Sequence, residues 1–144
     1  MTLMTTLASS RRDRGPRALL VDDNLEFRTT LTRQLEKMGC CVDSSSEAVG
    51  FLSNLVTSAL TYDFAVVDLH LPDLHGDKII SWLRESELRE VQSLPVLIVT
   101  GFPNDLSDTF FIDDVKIALL TKPYRYNQLV EAVSRLLVRG EGIN

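Results

Sequence analysis

The 144-residue chain predicts an α/β fold: an open sheet of parallel strands with helices packed on both faces. Three observations carry that reading. Apolar, β-rich runs recur at Ala18-Leu19-Leu20-Val21, Phe64-Ala65-Val66-Val67, Val96-Leu97-Ile98-Val99 and Ile117-Ala118-Leu119-Leu120. Segments with helical spacing alternate with them, and a strand-then-helix repeat implies parallel strands joined by right-handed crossovers. Composition adds 44% hydrophobic and 24% charged residues, an ordinary globular balance at a one-domain length.

The elements follow in order. Residues 1 to 16, rich in Thr, Ser and Arg and closed by Gly15-Pro16, carry no apolar period and read as a flexible lead-in. The folded unit is expected over 17 to 139, with 140 to 144 as a tail. After the first strand, the Asp23-x-x-Glu26 spacing has the form of a capping box. Phe27, Leu31, Leu35 and Met38 then share one helical face, and Gly39 supplies the stop. Cys40 to Val42 reads as a short second strand. Ser46 is expected to cap a second helix with the stripe Val49, Leu52 and Val56. The strand ending at Asp68 leads into a Pro72-containing loop that closes at Gly76.

A third helix carries Ile79, Ile80 and Leu83, with Arg84 to Ser93 as an exposed polar tail. Leu94-Pro95 opens the fourth strand, where a proline is tolerated. A short helix is expected over Leu106 to Ile112, although Pro103, Asn104 and several aspartates oppose it. Leu129, Ala132, Val133, Leu136 and Leu137 define the last helix before Gly140.

Several function classes are excluded. A formal charge of −5, with no concentrated basic face, speaks against a nucleic-acid surface. No apolar stretch is long enough to cross a bilayer, and the opening residues lack the pattern of a signal peptide, so the expected location is the cytoplasm. Cys40 and Cys41 are adjacent, so on a strand they point to opposite faces and serve as packing. His70 and His75 lack zinc-ligand spacing. Trp82, Tyr62, Tyr124 and Tyr126 are read as packing or surface.

What remains is a pattern at the strand ends. Asp22-Asp23, Asp68, Thr100 and Lys122 each stand where an apolar run stops, and in an open parallel sheet those ends face one crevice. Clustered carboxylates raise one another's pKa, and a bound cation relieves that cost. Hard oxygen donors suit Mg²⁺, with Mn²⁺ as a substitute. A carboxylate can also attack phosphorus to form an aspartyl phosphate. An ammonium and a hydroxyl then meet the charge on the transferring oxygens. Taken singly, a helix cap, a turn or a strand exit explains each position; structural need does not explain acidic groups after two buried strands and a lysine after a third.

These pieces are Leu20-Val21-Asp22-Asp23-Asn24, then Val67-Asp68-Leu69-His70-Leu71-Pro72 followed by Gly76, then Val99-Thr100-Gly101, then Lys122-Pro123. In that order they resemble a response-regulator receiver domain of two-component signalling, over about residues 17 to 139. The resemblance implies a flavodoxin-like, doubly wound, five-stranded parallel sheet in the order 2-1-3-4-5, with five helices on its two faces. It also implies roles. Asp68 accepts the phosphoryl group and ligates Mg²⁺; Asp23 contacts the metal directly, Asp22 acts through water, and the backbone carbonyl of His70 is a further ligand. Thr100 and Lys122 hold the phosphoryl oxygens, and the Lys122-Pro123 bond is often cis in the family.

The implied activity is a self-catalysed switch, not an enzyme with a pool of substrate. It takes its phosphoryl group from a histidine kinase or phosphotransfer protein, changes its interaction surface for an output partner that the sequence does not name, and involves no membrane and no direct nucleic-acid contact. A homodimer is common among relatives. The unit itself is free-standing, or the receiver of a larger regulator or hybrid kinase. One departure is Leu119, where many receivers carry an aromatic switch residue; output then falls to the 101 to 114 loop or to Tyr124. Two other readings are a receiver-like interaction module that is never phosphorylated and an aspartyl-phosphate phosphohydrolase. The second prefers an acid where His70 stands.

Overall fold

The computed structural model describes residues 15–58, 61–102 and 116–140. Residues 1 to 14 of the lead-in, the expected helix over Leu106 to Ile112 and residues 141 to 144 of the tail lie outside them. Five strands are present: β1 (Arg17–Val21), β2 (Cys41–Ser45), β3 (Phe64–Val67), β4 (Val96–Thr100) and β5 (Ile117–Thr121). They form one sheet in the order β2-β1-β3-β4-β5, all neighbours parallel. The expected order is therefore found. The helices among the described residues are α1 (Leu25–Lys37), α2 (Ala48–Ser58), α3 (Gly76–Arg84), the one-turn α4 (Arg89–Gln92) and α5 (Tyr126–Gly140).

Strand residues alternate between two cores because successive side chains leave opposite faces of a sheet. Leu19, Val21, Ala65, Val67, Val96 and Ile98 pack with Ala48, Phe51 and Leu55 of α2 and Ile79, Ile80 and Leu83 of α3. Ala18, Leu20, Phe64, Val66, Leu97 and Val99 pack with Leu31 and Leu35 of α1 and Leu129, Val133 and Leu136 of α5. The middle strands are buried on both sides, which explains their unbroken apolar sequences.

Five local expectations need correction. The first helix is capped by Asn24, not by Asp23: the Asn24 side chain accepts from the Phe27 N–H at 2.9 Å. Asn serves as well as Asp in that place, and the shift of one residue leaves the Asp23 carboxylate available to the crevice. β2 runs beyond Val42 to Ser45, because its pairing with β1 continues through Val21↔Ser45 where the side chains are polar. On α2 the stripe is rotated: Ala48, Phe51 and Leu55 face the core, whereas Val49 and Val56 are 71% and 64% exposed. Its first N–H groups, on Ala48 and Val49, are bonded by the Asp73 carboxylate at 2.9 and 3.1 Å rather than by Ser46. Finally, the tail after α3 is not wholly exposed, since α4 buries Val91. The Arg84 guanidinium donates to the carbonyls of Gln92 and Leu94 at 3.0 and 2.9 Å, holding that turn in place.

Candidate functional site

The backbone ladder extends one residue past several strand ends and so sets the crevice residues side by side. The Asp22 N–H donates to the Ser45 carbonyl at 3.1 Å, the Asp68 N–H to Val21 at 3.1 Å and the Lys122 N–H to Thr100 at 2.8 Å. Gly76 makes room behind them. A Cβ there would lie 2.6 Å from the Asp68 carbonyl oxygen and 2.7 Å from the Leu69 Cα, and its N–H donates to the Leu69 carbonyl at 2.8 Å. Only glycine permits so close an approach.

Three carboxylates meet at this edge. One oxygen each from Asp22, Asp23 and Asp68 lies within 4.8 Å of the others. Asp22 is buried, and its two oxygens are engaged: Oδ1 accepts from the Asn24 N–H at 3.0 Å and Oδ2 from Lys122 Nζ at 3.0 Å. Its carbonyl accepts from the Arg28 guanidinium at 2.8 Å. Asp23 is exposed. Asp68 is nearly buried; its Oδ1 accepts from the His70 N–H at 3.3 Å, and its Oδ2 lies 3.9 Å from Lys122 Nζ. Burial pushes the Asp68 carboxyl above the ordinary carboxylate value; Lys122 opposes the rise, the Asp22 and Asp23 charges add to it, and the His70 N–H lowers it again. A donor set of three hard oxygens, crowded by like charge and open to solvent through Asp23, fits a small divalent cation such as Mg²⁺.

The remaining groups arrive from β4 and β5. Thr100 is fully buried at the end of β4, and its Oγ1 accepts from the Phe102 N–H at 3.0 Å. Lys122 follows β5, its peptide bond to Pro123 is cis, and its ammonium lies 3.7 Å from the centroid of the Phe27 ring. The His70 ring points elsewhere, edge to face with Phe102 at 4.8 Å and with His75 at 5.3 Å; His75 Nδ1 is 2.6 Å from the Asp77 carboxylate. The structure thus brings Asp22, Asp23, Asp68 and Lys122 together, and sets Thr100 at the neighbouring strand end. Sequence reasoning assigned Phe27 to the core stripe alone, because periodicity shows which face a ring takes but not which charge lies above it.

Known proteins resemble this chain in sequence and in fold. The family profile described as the response regulator receiver domain matches residues 18–134. The chain belongs to the response regulator receiver domain family of two-component signalling. It is 29% identical over 127 residues to the virulence transcriptional regulatory protein PhoP of Salmonella choleraesuis, which covers 88% of this chain and 54% of that one. The chain spans about half the length of the curated bacterial relatives it matches. Among solved structures, a sensor protein from Polaromonas sp. JS666 superposes with a TM-score of 0.77 at 25% identity, covering 88% of this chain and 98% of that one. The response regulator TrrA of Thermotoga maritima, solved in complex with Mg(2+)-BeF, gives 0.67 at 20% identity over 85% of this chain and 99% of its own. No helix among the described residues is long and apolar enough to cross a membrane.

Proposed function

We propose that this receiver domain is a phosphoacceptor switch in which Asp68 takes a phosphoryl group from the phosphohistidine of a partner histidine kinase or phosphotransfer protein. The observation that carries the reading is the convergence of three carboxylates within 4.8 Å, with the Lys122 ammonium 3.9 Å from Asp68. Asp68 is the acceptor: one carboxylate oxygen bonds to phosphorus as the bond from phosphorus to the donor imidazole nitrogen breaks, its electron pair staying on that nitrogen. Lys122 and the Thr100 hydroxyl receive the charge on the peripheral oxygens, where fixed donors contribute most. The domain proposed to do this is residues 17 to 139.

Asp22, Asp23, Asp68 and the His70 carbonyl would hold Mg²⁺, or Mn²⁺ in its place; the cation would neutralise carboxylate and phosphoryl charge when bound. Support comes from the oxygen-only donor set and from the magnesium complex of the TrrA regulator, which is similar in fold. Addition of negative charge at Asp68 changes the surface offered to an output partner.

Incubation with Mg²⁺ and acetyl phosphate, followed by intact mass measurement, tests the reading. Stoichiometric, base-labile mass gain that disappears in Asp68→Asn is expected. Turnover of many substrate molecules would instead indicate a phosphohydrolase, and no change in mass a pure interaction module.

A further inference from the structure

The ammonium of Lys122 lies 3.9 Å from Asp68 Oδ2 and has two closer holders, of which only one is charged. Asp22 Oδ2 lies at 3.0 Å. The second is the face of Phe27, whose centroid is 3.7 Å away, well inside the range of a cation–π contact. That ring is fixed from several sides. The Phe27 backbone N–H donates to Asn24 Oδ1 at 2.9 Å, which pins the first turn of α1. The Tyr124 ring meets it edge to face at 5.9 Å and 83°, and the Tyr124 hydroxyl donates to Gln34 Oε1 at 2.6 Å. Phe27 and Gln34 are two turns apart on one face of α1. Residues 122 and 124 therefore both engage that face, Lys122 over the Phe27 ring and Tyr124 in a T-shaped contact with it.

The two holders differ in what disturbs them. The Asp22 carboxylate is shared between the lysine and any cation drawn to the acidic cluster, and such a cation also repels the ammonium. A neutral ring has no charge to be diverted, so its attraction for the ammonium persists whatever the carboxylates do.

We propose that Phe27 is the positioning residue for Lys122, its ring the seat that keeps the ammonium beside the Asp68 carboxylate. The inference rests on Asp68 being the phosphoryl acceptor. Two readouts separate the ideas. In metal-free, unphosphorylated wild-type protein, the ε-methylene protons of Lys122 should resonate upfield of ordinary lysine, shifted by the ring current of Phe27. Phe27→Leu should return them to ordinary values and slow acetyl phosphate labelling roughly three- to tenfold, the range set by a half-buried cation–π contact. Phe27→Tyr should rescue both. Ordinary lysine shifts in the wild type, or Phe27→Leu labelled at the wild-type rate, would overturn the proposal; the wild-type shift decides by itself if Phe27→Leu is unstable. An upfield shift in a wild type that takes no label supports the seat and overturns the phosphoacceptor reading instead.

Discussion

The middle and the margin of the sheet are built differently. β1, β3 and β4 are buried almost without interruption, whereas β2 and β5 are mostly half-buried or exposed, with Leu120 alone of their residues buried. Asp22, Asp68 and Thr100 terminate the three middle strands; Lys122 follows the marginal β5. Asp68 and its neighbours are thus fixed by close-packed interior, while the Lys122 ammonium depends on contacts made by its own side chain, to Asp22 and Phe27. Asp22, Asp68 and Thr100 therefore sit where displacement costs most, and the Lys122 side chain where it costs least.

Breaking that contrast starts with the core. Phe64→Ala, in the middle of the sheet and fully buried, should cost about 3–5 kcal/mol in urea unfolding. Val42→Ala on the margin should cost about 1 kcal/mol or less; equal losses would erase the distinction. Gly76→Ala sets a methyl against the Asp68 backbone, and overpacking of this kind should cost about 1–3 kcal/mol, visible as a lower urea midpoint with slower Asp68 labelling.

Smaller effects sharpen the electrostatic half of the comparison. Mg²⁺ at ten times its Kd should stabilise the protein by about 1.4 kcal/mol, measured as a rise in Tm that EDTA reverses and Asp22→Asn abolishes. Asp68 has a folded pKa above its unfolded one, so its contribution is present below the unfolded value and lost as pH rises through the folded value. At neutral pH the metal-free carboxylate works against the fold, and Asp68→Asn without Mg²⁺ should therefore raise the urea midpoint; a fall would refute the cost assigned to burial.

Cys40 extends the same logic to the alkaline side. Burial, with Cys41 and Asp63 adding, pushes its thiol from the ordinary 9.0 up to about 11. A thiol held protonated contributes stability fully below pH 9 and loses it as pH rises toward 11. Iodoacetamide at pH 8 should label Cys41, which is partly exposed, ahead of Cys40, as resolved by peptide mass spectrometry.

The legible part of the sequence was the part with short-range causes. Apolar runs located four of the five strands, and the residues after them located the crevice, because strand direction alone carries those side chains to one edge. Long-range causes were not legible. The stripe Val49, Leu52 and Val56 is apolar and periodic, yet the neighbouring stripe through Phe51 and Leu55 wins the core; periodicity cannot rank two apolar faces of one helix. The partner that bonds the first N–H groups of α2 comes from Asp73, 25 residues further on, so no local window contains it. Phe27 fitted the α1 stripe and was read correctly as facing inward, but its second duty exists only because Lys122, distant in sequence, lies above it.

The Asp73 carboxylate has one more consequence. It belongs to the segment between Asp68 and Gly76, yet both its oxygens are spent on the opening turn of α2, and the Ala48 N–H above all holds its carboxyl below the usual range. That segment is moored midway along its length to a different helix. The Asp73 carboxylate therefore ties the position of the loop after β3 to that of the opening turn of α2.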